Sequence, residues 1–474
     1  MSESIKDIYL IGICGVAMGT LAGMLKKSGY MVRGSDSGIY PPMSDKLKEW
    51  EIDAYNGYNA ENVGKPDLAI IGNAISRGNP EAEYVLNKRI PYMSMAQAIY
   101  NFFLKDKEII SVSGTHGKTT TTALLNNILV AAGEDPSCLI GGVSVNLNSN
   151  FRIGGGKHFI IEGDEYDSAF FEKIPKFIVY KPHHLVLTSL EFDHADIYNN
   201  LDEIKLWFRR LVNITPSEGE IIFSNDYSNL IEVTEKSFSK LTSFGKGDSD
   251  FKYEFCGYSG IFSGIKIISK KYGKIDIKTK LFGEYNYANI TAAAAMALQL
   301  GIGIEDIKKA VEMFEGVKRR QELIYESGNL KIYEDFAHHP TAINFFLSEM
   351  KNRFPDSCLW AVYEPRSATS RRNIFQKELP LSFRFADKVL LKNPFSMNGI
   401  PEQERIDISS VLNEIKASGK EAVLFNNADE ILNFIFGNIK KDNNIIAIMS
   451  NGSFDGIYDK IKVRAQSYNN GLRN

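Results

Sequence analysis

The clearest chemical feature of the sequence is a loop rich in glycine and threonine. The stretch SVSGTHGKTTTTALL, residues 111–125, ends a β-branched run, turns through two glycines and continues into a helical segment. In a phosphate-binding loop, backbone N–H groups at a helix start hold the phosphates, a lysine neutralises their charge and a hydroxyl binds Mg²⁺. A plain glycine turn before a threonine-rich helix is the alternative. We predict an ATP site formed by Gly114, Thr115, His116, Gly117, Lys118, Thr119 and Thr120.

Two acidic clusters follow two other predicted strands. The carboxyl ends of parallel strands lie at the edge where ligands bind in α/β sheets, beside a phosphate loop. Oxygen-rich side chains at that edge are natural ligands of Mg²⁺, and a solvated loop is the alternative for either cluster alone. IIEGDEYDSAFF contributes Glu162, Asp164, Glu165 and Asp167, and LEFDHADIY contributes Glu191, Asp193, His194 and Asp196.

A second glycine-rich loop, GICGVAMG, follows the first predicted strand. Its glycines, Gly12, Gly15 and Gly19, would allow a diphosphate to approach the backbone, as in dinucleotide-binding folds. Ser35 and Asp36 end the next strand, where an acidic side chain usually meets a ribose. Taken alone, this pattern fits NAD as readily as another nucleotide. Further polar candidates in the segment GNAISRGNPE are Asn73, Arg77 and Asn79.

Composition argues against several classes of partner. Lys and Arg number 55 and Asp and Glu 58, a net charge of −3, so no basic field favours nucleic acid or an anionic membrane. No apolar run is long enough to span a bilayer, and no signal peptide is recognisable. The cysteines lack disulfide or zinc spacing, so we expect a protein of the reducing cytoplasm. They are Cys14, Cys138, Cys256 and Cys358.

The alternation of strands and helices indicates the domain organisation. At 474 residues the chain is too long for one hydrophobic core, and its length indicates about three domains. We predict an α/β fold with a Rossmann-like N-terminal domain over residues 1–106 and a central P-loop ATPase-like domain over 107–316. The central sheet is predicted to be mostly parallel, with an antiparallel hairpin between Phe251 and Phe282. A Rossmann-like α/β domain is predicted over 317–474.

Six motifs, in their order along the chain, resemble the Mur ligase family. They are GTHGKTTTT, EGDEYDSAFF, EFDHADIY, GEYNYANITAAAA, GVKRRQE and YEDFAHHPTAI. The family joins amino acids or peptides to UDP-N-acetylmuramic acid at the expense of ATP, and the resemblance covers essentially the whole chain. It implies that a carboxylate of the UDP sugar takes the γ-phosphoryl group of ATP, and that an amine then displaces phosphate from the acyl phosphate.

The resemblance also implies roles for individual residues. Lys118 would contact the transferred phosphoryl group, and Mg²⁺ would be bound by Thr119, Glu162 and His194. Tyr285 stands where the family usually has a histidine, so no role is transferred to it. The remaining implied positions are Asn286 and Asn289 at the adenine, Arg320 at the phosphates, Asp335 at the ribose or phosphates, and His338 in a catalytic or substrate role. Packing at a turn is the alternative for His338.

Finer motifs indicate the substrates. The resemblance implies that the N-terminal glycine loop and its neighbours hold UDP-N-acetylmuramate. IYPPMSDKL, GNAISRGNPE and EPRSAT resemble members that attach the tripeptide L-Ala-γ-D-Glu-meso-diaminopimelate during recycling of peptidoglycan peptides. A peptide with several carboxylates needs a cation, and Arg366, after a predicted strand, is the candidate. The alternative within the family is L-alanine addition in de novo synthesis. Outside it, the alternatives are an NAD-linked oxidoreductase and a nucleotide-gated binding protein.

Overall fold

The chain forms three successive α/β regions. The computed structural model describes residues 5–41, 43–195, 197–439 and 443–472, so the candidate Asp196 lies outside the described residues. Each region builds one large sheet that is predominantly parallel, and a small two-stranded hairpin accompanies the second sheet. The predicted α/β fold with three domains is confirmed, whereas the boundaries after residues 106 and 316 stay predictions.

The N-terminal domain alternates strands and helices. Its elements are β1 (Asp7–Ile11), α1 (Val16–Lys27), β2 (Met31–Asp36), α2 (Met43–Glu49), β3 (Asp53–Asn56), α3 (Ala60–Val63), β4 (Leu68–Ile71), α4 (Pro80–Lys88), β5 (Tyr92–Ser94), α5 (Met95–Ile99) and a π-helical turn over Tyr100–Leu104. All five strands pair in parallel, in the order β3-β2-β1-β4-β5. The sequence of β4, LAII, is buried throughout because helices cover both faces of the sheet.

The central domain carries the largest sheet. Its elements are β6 (Glu108–Ser113), α6 (Lys118–Ala131), β7 (Ser137–Ser144), β8 (Ser149–Arg152), β9 (His158–Gly163), β10 (Asp167–Ala169), β11 (Glu172–Pro175), α7 (Lys176–Tyr180), β12 (His184–Leu187), α8 (Leu201–Ile214), β13 (Glu220–Ser224), α9 (Ser228–Thr234), β14 (Lys240–Gly245), β15 (Phe251–Ser259), β16 (Phe262–Ser269), β17 (Gly273–Thr279), α10 (Glu284–Gln299) and α11 (Ile304–Glu312). The ten-stranded order is β17-β16-β15-β14-β13-β12-β6-β9-β7-β8. The predicted antiparallel hairpin is confirmed, and it extends to a third strand, β17.

Small side chains let α10 pack closely in the central domain. Its AAAA segment is buried together with the apolar side of α6, in the core cluster that also includes strands of the sheet. Because alanine adds little bulk, two helix backbones can approach each other and the sheet. The helix that begins at the phosphate loop is thereby held firmly against its neighbours.

The C-terminal domain repeats the α/β pattern. Its elements are β18 (Glu322–Ser327), β19 (Leu330–Asp335), α12 (Pro340–Arg353), β20 (Cys358–Tyr363), α13 (Glu378–Ser382), β21 (Lys388–Lys392), α14 (Ile408–Ala417), β22 (Glu421–Phe425), α15 (Ala428–Asn438), β23 (Asn444–Met449) and α16 (Ile457–Leu472). The sheet order is β18-β19-β23-β20-β21-β22, and only β18 is antiparallel to its neighbour. Within the described residues, no helix combines the length and apolarity needed to cross a bilayer.

Polar contacts join the domains. The Asn150 amide donates to the Thr20 hydroxyl at 2.6 Å between the N-terminal and central domains. The Thr369 hydroxyl donates to Asp193 Oδ1 at 3.1 Å between the C-terminal and central domains. Since Asp193 belongs to one of the predicted acidic clusters, this second interface lies beside the predicted site.

Candidate active site

The phosphate loop lies where the chain order of the central sheet reverses. β6 pairs with β9 on one side and with β12 on the other. Ligands in open α/β sheets bind beyond the carboxyl ends of the strands at such a point. Residues 114–117 connect β6 to α6, with φ of 140° at Gly114 and 84° at Gly117. Glycine suits both positions because residues with a Cβ rarely adopt positive φ.

Gly117 also allows a side chain of α10 to lie against the loop. A Cβ at Gly117 would come within 2.4 Å of Asn289 Oδ1, which is closer than real atoms approach. The Asn289 amide lies 3.5 Å from Asn286 Oδ1. The two asparagines predicted to meet adenine therefore lie next to the loop predicted to hold phosphates.

A cavity of about 670 Å³ lies between the central and C-terminal domains. Its volume is within the range of roughly 300–1,000 Å³ that is usual for small-molecule sites. The predicted residues that line it are Thr115, His116, Gly117, Lys118, Thr119, Thr120, Glu162, Asp164, Glu191, Asp193, His194, Asn286, Asn289, Arg320, Asp335 and His338. Among the described residues, Gly114, Glu165, Asp167, Arg366 and the N-terminal candidates lie outside this lining.

The ammonium group of Lys118 is surrounded by hydrogen-bond acceptors. Its Nζ atom is 3.0 Å from Glu165 Oε1 and donates to the carbonyl oxygen of Gly114 at 2.5 Å. Burial acts to lower the pKa of Lys118, but the neighbouring carboxylates, led by Glu165 and then Glu162, outweigh burial and raise the pKa. The lysine is therefore held charged, as binding of phosphate requires.

Thr119 and Glu162 form an oxygen-rich pair beside the loop. The Thr119 hydroxyl donates to Glu162 Oε1 at 3.1 Å, and the Gly141 N–H donates to Glu162 Oε2 at 2.8 Å. Burial raises the pKa of Glu162, while Lys118 and Arg320 act in the opposite direction. A hydroxyl and a carboxylate beside a phosphate loop are donors that suit Mg²⁺.

His194 reaches the same cavity through a different carboxylate. Its Nε2 atom lies 3.1 Å from Glu165 Oε1, and its backbone has the unusual φ of 56°. Burial acts to lower the pKa of His194, but the hydrogen bond and charge of Glu165 outweigh burial and raise it. Glu165 thus contacts both Lys118 and His194, which links the acidic cluster after β9 to the one after β12.

The C-terminal domain contributes Arg320 and Asp335 to the cavity. Arg320 Nη2 lies 3.4 Å from Thr119 Oγ1, and its guanidinium carbon is 4.7 Å from the centre of the Phe336 ring. Asp335 ends β19 and accepts a hydrogen bond from the Gln321 N–H at 2.7 Å. Burial raises the pKa of Asp335, and Arg320 acts to lower it. A cation from the neighbouring domain therefore faces the phosphate loop.

Two adjacent histidines precede α12. His338 Nδ1 is 3.1 Å from the Phe336 carbonyl oxygen, and its Nε2 is 3.9 Å from Asp193 Oδ2. Burial lowers the pKa of His338, which keeps its imidazole neutral at the cavity. His339 caps α12 by accepting a hydrogen bond from the Thr341 N–H at 3.2 Å.

In the N-terminal domain, the glycine loop folds onto the end of β2. The Gly12 N–H donates to the Ser35 carbonyl oxygen at 2.8 Å, and the Cys14 N–H donates to Asp36 Oδ2 at 2.8 Å. Gly15 is the N-terminal cap of α1. The structure therefore brings Gly12, Gly15 and Asp36 together, as the sequence predicts for a nucleotide site.

Two other N-terminal candidates have partners within the domain. A Cβ at Gly19 would lie 2.2 Å from Met43 Sδ, so this glycine permits α1 to pack on α2. The Ser35 side chain is buried, and its hydroxyl donates to the buried carboxylate of Glu81. Contacts within the domain therefore account for Gly19 and Ser35, and the binding roles of these two residues stay predictions.

The segment GNAISRGNPE lies at the surface of the same domain. Asn73 is exposed. Arg77 makes a two-point ion pair with Glu83, at 2.8 and 3.1 Å. The Asn79 side chain caps α4 by accepting from two backbone N–H groups. A ligand would have to compete with Glu83 for Arg77.

Arg366 lies outside the cavity, after β20. Its guanidinium carbon is 3.8 Å from the centre of the Phe395 ring, and its Nη1 is 3.8 Å from Glu364 Oε2. Glu364 is fully buried and accepts from Lys392 Nζ at 2.8 Å. Buried Nη1 of Arg366 has no hydrogen-bond partner in the described part of the chain. The predicted contact with the acceptor peptide stays a prediction.

The cavity includes residues that no motif singled out. One group lies at or near the ends of β13 and β14, at the same edge of the sheet as the phosphate loop. Their position was visible in the sequence as strand ends, but no chemical pattern marked them. They are Ser224, Asp226, Tyr227 and Lys246. Tyr253 of β15, Phe345 of α12 and Tyr285, to which no role was transferred, line the cavity as well.

Comparisons with known proteins identify relatives of this chain. Residues 7–106 match the model of the Mur ligase family catalytic domain, and residues 112–297 match that of the Mur ligase middle domain. The chain is 37% identical over 467 residues to UDP-N-acetylmuramate--L-alanyl-gamma-D-glutamyl-meso-2,6-diaminoheptandioate ligase of Escherichia coli, covering 96% of this chain and 97% of that protein. It is 31% identical to UDP-N-acetylmuramate--L-alanine ligase of Clostridium acetobutylicum, covering 90% and 92%. The crystal structure of a murein peptide ligase from Psychrobacter arcticus superposes with a TM-score of 0.72 at 33% identity, covering 96% and 98%.

Proposed function

The chain belongs to the Mur ligase family, and from this premise we propose that it joins the tripeptide L-Ala-γ-D-Glu-meso-diaminopimelate to UDP-N-acetylmuramate with ATP. The observation that carries the proposal is one cavity into which Lys118, Glu162 and Arg320 all face from two domains. The activity named for the Escherichia coli relative, 37% identical over 96% of this chain, supports the tripeptide as the acceptor. The product would serve the recycling of peptidoglycan peptides.

The reaction has two balanced steps. A carboxylate oxygen of UDP-N-acetylmuramate attacks the γ-phosphorus of ATP, the bond from that phosphorus to the β,γ-bridging oxygen breaks, and ADP leaves. The tripeptide amine then attacks the acyl carbon, inorganic phosphate leaves, and the amine gives up a proton. Both steps bring anions together, so fixed cations and hydrogen-bond donors supply the stabilisation. Lys118 and Arg320 are the cations we assign to the phosphates.

His338 is the residue we assign to the amine. Its neutral imidazole lines the cavity, and its Nε2 atom lies 3.9 Å from Asp193 Oδ2. A neutral imidazole can accept the proton that the attacking amine loses. Asp193 would stabilise the imidazolium that results.

Asn286, Asn289 and Asp335 are assigned to the nucleoside. Amide side chains offer both a donor and an acceptor to a base edge. Asn286 and Asn289 lie together on α10, and Asp335 faces the same cavity from the C-terminal domain. Their common position beside the phosphate loop supports the assignment.

Mg²⁺ supplies charge neutralisation at the phosphates in this class of reaction. Thr119, Glu162 and His194 would hold it. The hydroxyl and the carboxylate suit Mg²⁺ well, and an imidazole is a less common ligand for this ion. The hydrogen bond between Thr119 and Glu162 supports the assignment of these two residues to one site.

The N-terminal domain is assigned to the UDP sugar. The cluster of Gly12, Gly15 and Asp36 at the glycine loop supports this assignment. We also propose that the enzyme acts in the cytoplasm. The four cysteines are free, as is usual in a reducing compartment.

Release of ADP tests the function. We expect ADP to form when ATP, Mg²⁺, UDP-N-acetylmuramate and the tripeptide are all present, and to stay at background without the UDP sugar. Parallel reactions replace the tripeptide with free L-alanine. If L-alanine is the better acceptor, the tripeptide assignment is wrong and the activity matches that named for the Clostridium acetobutylicum relative.

A further inference from the structure

Three side chains that commonly ligate metals meet at one side of the cavity. His116 comes from the phosphate loop, Glu191 follows β12, and His339 precedes α12 of the C-terminal domain. One potential ligand atom from each lies within 4.8 Å of the others, and His116 Nε2 is 2.8 Å from Glu191 Oε2. Among the residues that the structure describes, no other group of three His, Cys, Asp or Glu side chains meets this distance limit.

The chemistry of this donor set differs from that of the proposed magnesium ligands. Two imidazoles and one carboxylate form the set that binds Zn²⁺ in sites that keep an open position, whereas Mg²⁺ prefers oxygen atoms. Zinc ligands lie at about 2.0–2.2 Å, so in a tetrahedral site they are roughly 3.3–3.6 Å from one another. The present separations, from 2.8 Å to at most 4.8 Å, reach that arrangement by side-chain rotation.

Binding of a metal would replace existing hydrogen bonds of both imidazoles. A neutral imidazole has one nitrogen lone pair, and at His339 the lone pair of Nδ1 accepts from the Thr341 N–H, while Nε2 lies 3.3 Å from the Phe192 carbonyl oxygen. An ion at Nε2 would move the ring proton to Nδ1 and replace both of these hydrogen bonds. Burial is the main cause that lowers the pKa of His339 to about 4. Protons therefore compete little for this ring near neutral pH. At His116, an ion would replace the hydrogen bond to Glu191.

We propose that His116, Glu191 and His339 bind Zn²⁺ or a similar transition-metal ion, at a position separate from the magnesium ligands, and that this ion links the phosphate loop to the C-terminal domain. His116 and His339 belong to different domains, and their ring centres are 5.1 Å apart. A bound ion would oppose separation of the two domains. The proposal goes beyond the ligase activity and does not depend on the identity of the acceptor.

Titration of the full-length protein with Zn²⁺, without Mg²⁺ or nucleotide, tests the site. We expect calorimetry to show a site that is weakened about tenfold or more in Glu191→Gln and in His339→Asn, because each loses one of three ligands. Asparagine at position 339 keeps an acceptor for capping α12, so the helix start is preserved. Co²⁺, used as a spectroscopic probe, should give tetrahedral absorption bands in the parent and lose them in both variants.

Glu162→Gln is the matched control, because it removes a carboxylate from the magnesium set in the same cavity. We expect it to keep the Zn²⁺ affinity of the parent within about twofold. Unchanged Zn²⁺ affinity in both Glu191→Gln and His339→Asn would overturn the proposal. So would a loss in Glu162→Gln equal to theirs, since the ion would then lie at the magnesium ligands. If His339→Asn fails to fold, as judged by circular dichroism, Glu191→Gln decides alone.

Discussion

The Nζ atom of Lys118 lies 3.0 Å from the carboxylate of Glu165; the Glu165 side chain is buried, with 4% of its surface exposed, and the Lys118 side chain is partly buried, with 13% exposed. A buried ammonium is costly without a partner, and Glu165 supplies one inside the protein. The same carboxylate accepts from His194, so three of the predicted polar residues form one network. A γ-phosphate that binds at Lys118 would replace Glu165 as its ion-pair partner or share the lysine with it.

Removal of the Lys118 side chain should greatly slow ADP formation without weakening the binding of UDP-N-acetylmuramate. We expect Lys118→Ala to lower the rate of ADP formation by about a thousandfold, as is usual for loss of a cation at a transferred phosphoryl group. Calorimetry should show UDP-N-acetylmuramate binding nearly unchanged, because that ligand is assigned to another domain. Lys205→Ala, which removes a lysine paired with Glu232 outside the cavity lining, is the control. An ADP rate for Lys118→Ala within about tenfold of the parent would remove this lysine from the mechanism.

Gly117 and Gly133 have nearly the same φ, so alanine substitutions at the two positions distinguish backbone strain from contact with Asn289. Gly117 has φ of 84° and Gly133 has φ of 81°, but a Cβ would be 2.4 Å from Asn289 at the first and would meet nothing within 4 Å at the second. We expect Gly117→Ala to raise the KM for ATP by about tenfold or more, and Gly133→Ala to leave it within about twofold. Both should lower the midpoint of thermal unfolding, since alanine disfavours positive φ. Equal KM values for the two variants would mean that the contact with Asn289 does not shape the ATP site.

The metal assignment predicts a change in Mg²⁺ requirement. We expect Glu162→Gln and His194→Ala each to raise the Mg²⁺ concentration that gives half the maximal rate of ADP release, at saturating ATP. Each change removes or weakens a ligand, and loss of metal-site groups typically costs about 10–100-fold in affinity or activity. Unfolding curves without Mg²⁺ control for misfolding. If both variants keep the parent's Mg²⁺ dependence, the two residues are structural.

The buried strands could be predicted from the sequence, and several edge strands could not. A strand covered on both faces is a short apolar run, as in LAII of β4 and NIIAIM of β23. In contrast, β3 (DAYN) and β18 (ELIYES) lie at sheet edges and carry many polar residues. Their pairing depends on neighbouring strands that are remote in sequence, so local pattern does not reveal them.

The candidate site likewise contains some residues that local motifs predict and others that only the folded chain brings together. The phosphate loop and the acidic clusters are local motifs, and the structure brings most of the loop together with Glu162, Asp164, Glu191, Asp193 and His194 in one cavity. Tyr253 and Phe345 reach that cavity from β15 and α12, and only the folded chain places them there. Ser35 and Arg77 lie in motifs, but the carboxylates of Glu81 and Glu83 pair with them, which a sequence pattern cannot predict.

His158 should make stability depend on pH. It begins β9 with 1% of its surface exposed, and its ring lies 3.3 Å from Glu108 and 3.9 Å from Glu134. Burial is the main cause that lowers the pKa of His158, with a further contribution from Lys157, while Glu108 acts to raise it. The pKa is therefore lower in the folded chain than the value of about 6.5 in the unfolded chain. The unfolded state binds more protons as the pH falls through this window, so stability decreases.

Substitution of His158 tests whether this residue makes stability decrease as the pH falls. We expect His158→Gln to lose less thermal stability than the parent when the pH is lowered from about 7.5 to about 5.5, because the variant has no group to protonate there. The comparison uses the change in unfolding midpoint between the two pH values, so a constant destabilisation of the variant cancels. An equal change in both proteins would show that His158 does not titrate differently on folding.

Arg366 provides the last prediction, because its Nη1 is 3.8 Å from Glu364 Oε2, too far for a hydrogen bond, and a carboxylate of the acceptor could bind its guanidinium. It stacks on Phe395, and Nη1 lacks a hydrogen-bond partner among the residues described by the structure. We expect Arg366→Lys to weaken use of the tripeptide by roughly tenfold or more, which corresponds to about 1.5–3 kcal/mol for a charged two-point hydrogen bond. The KM for ATP should change little, because Arg366 does not line the ATP cavity. Arg372→Lys is the matched control, since Arg372 donates to the Ala368 carbonyl oxygen at 3.2 Å. Similar losses of tripeptide use in both variants, or a matching rise in the KM for ATP in Arg366→Lys, would refute a specific contact with the acceptor.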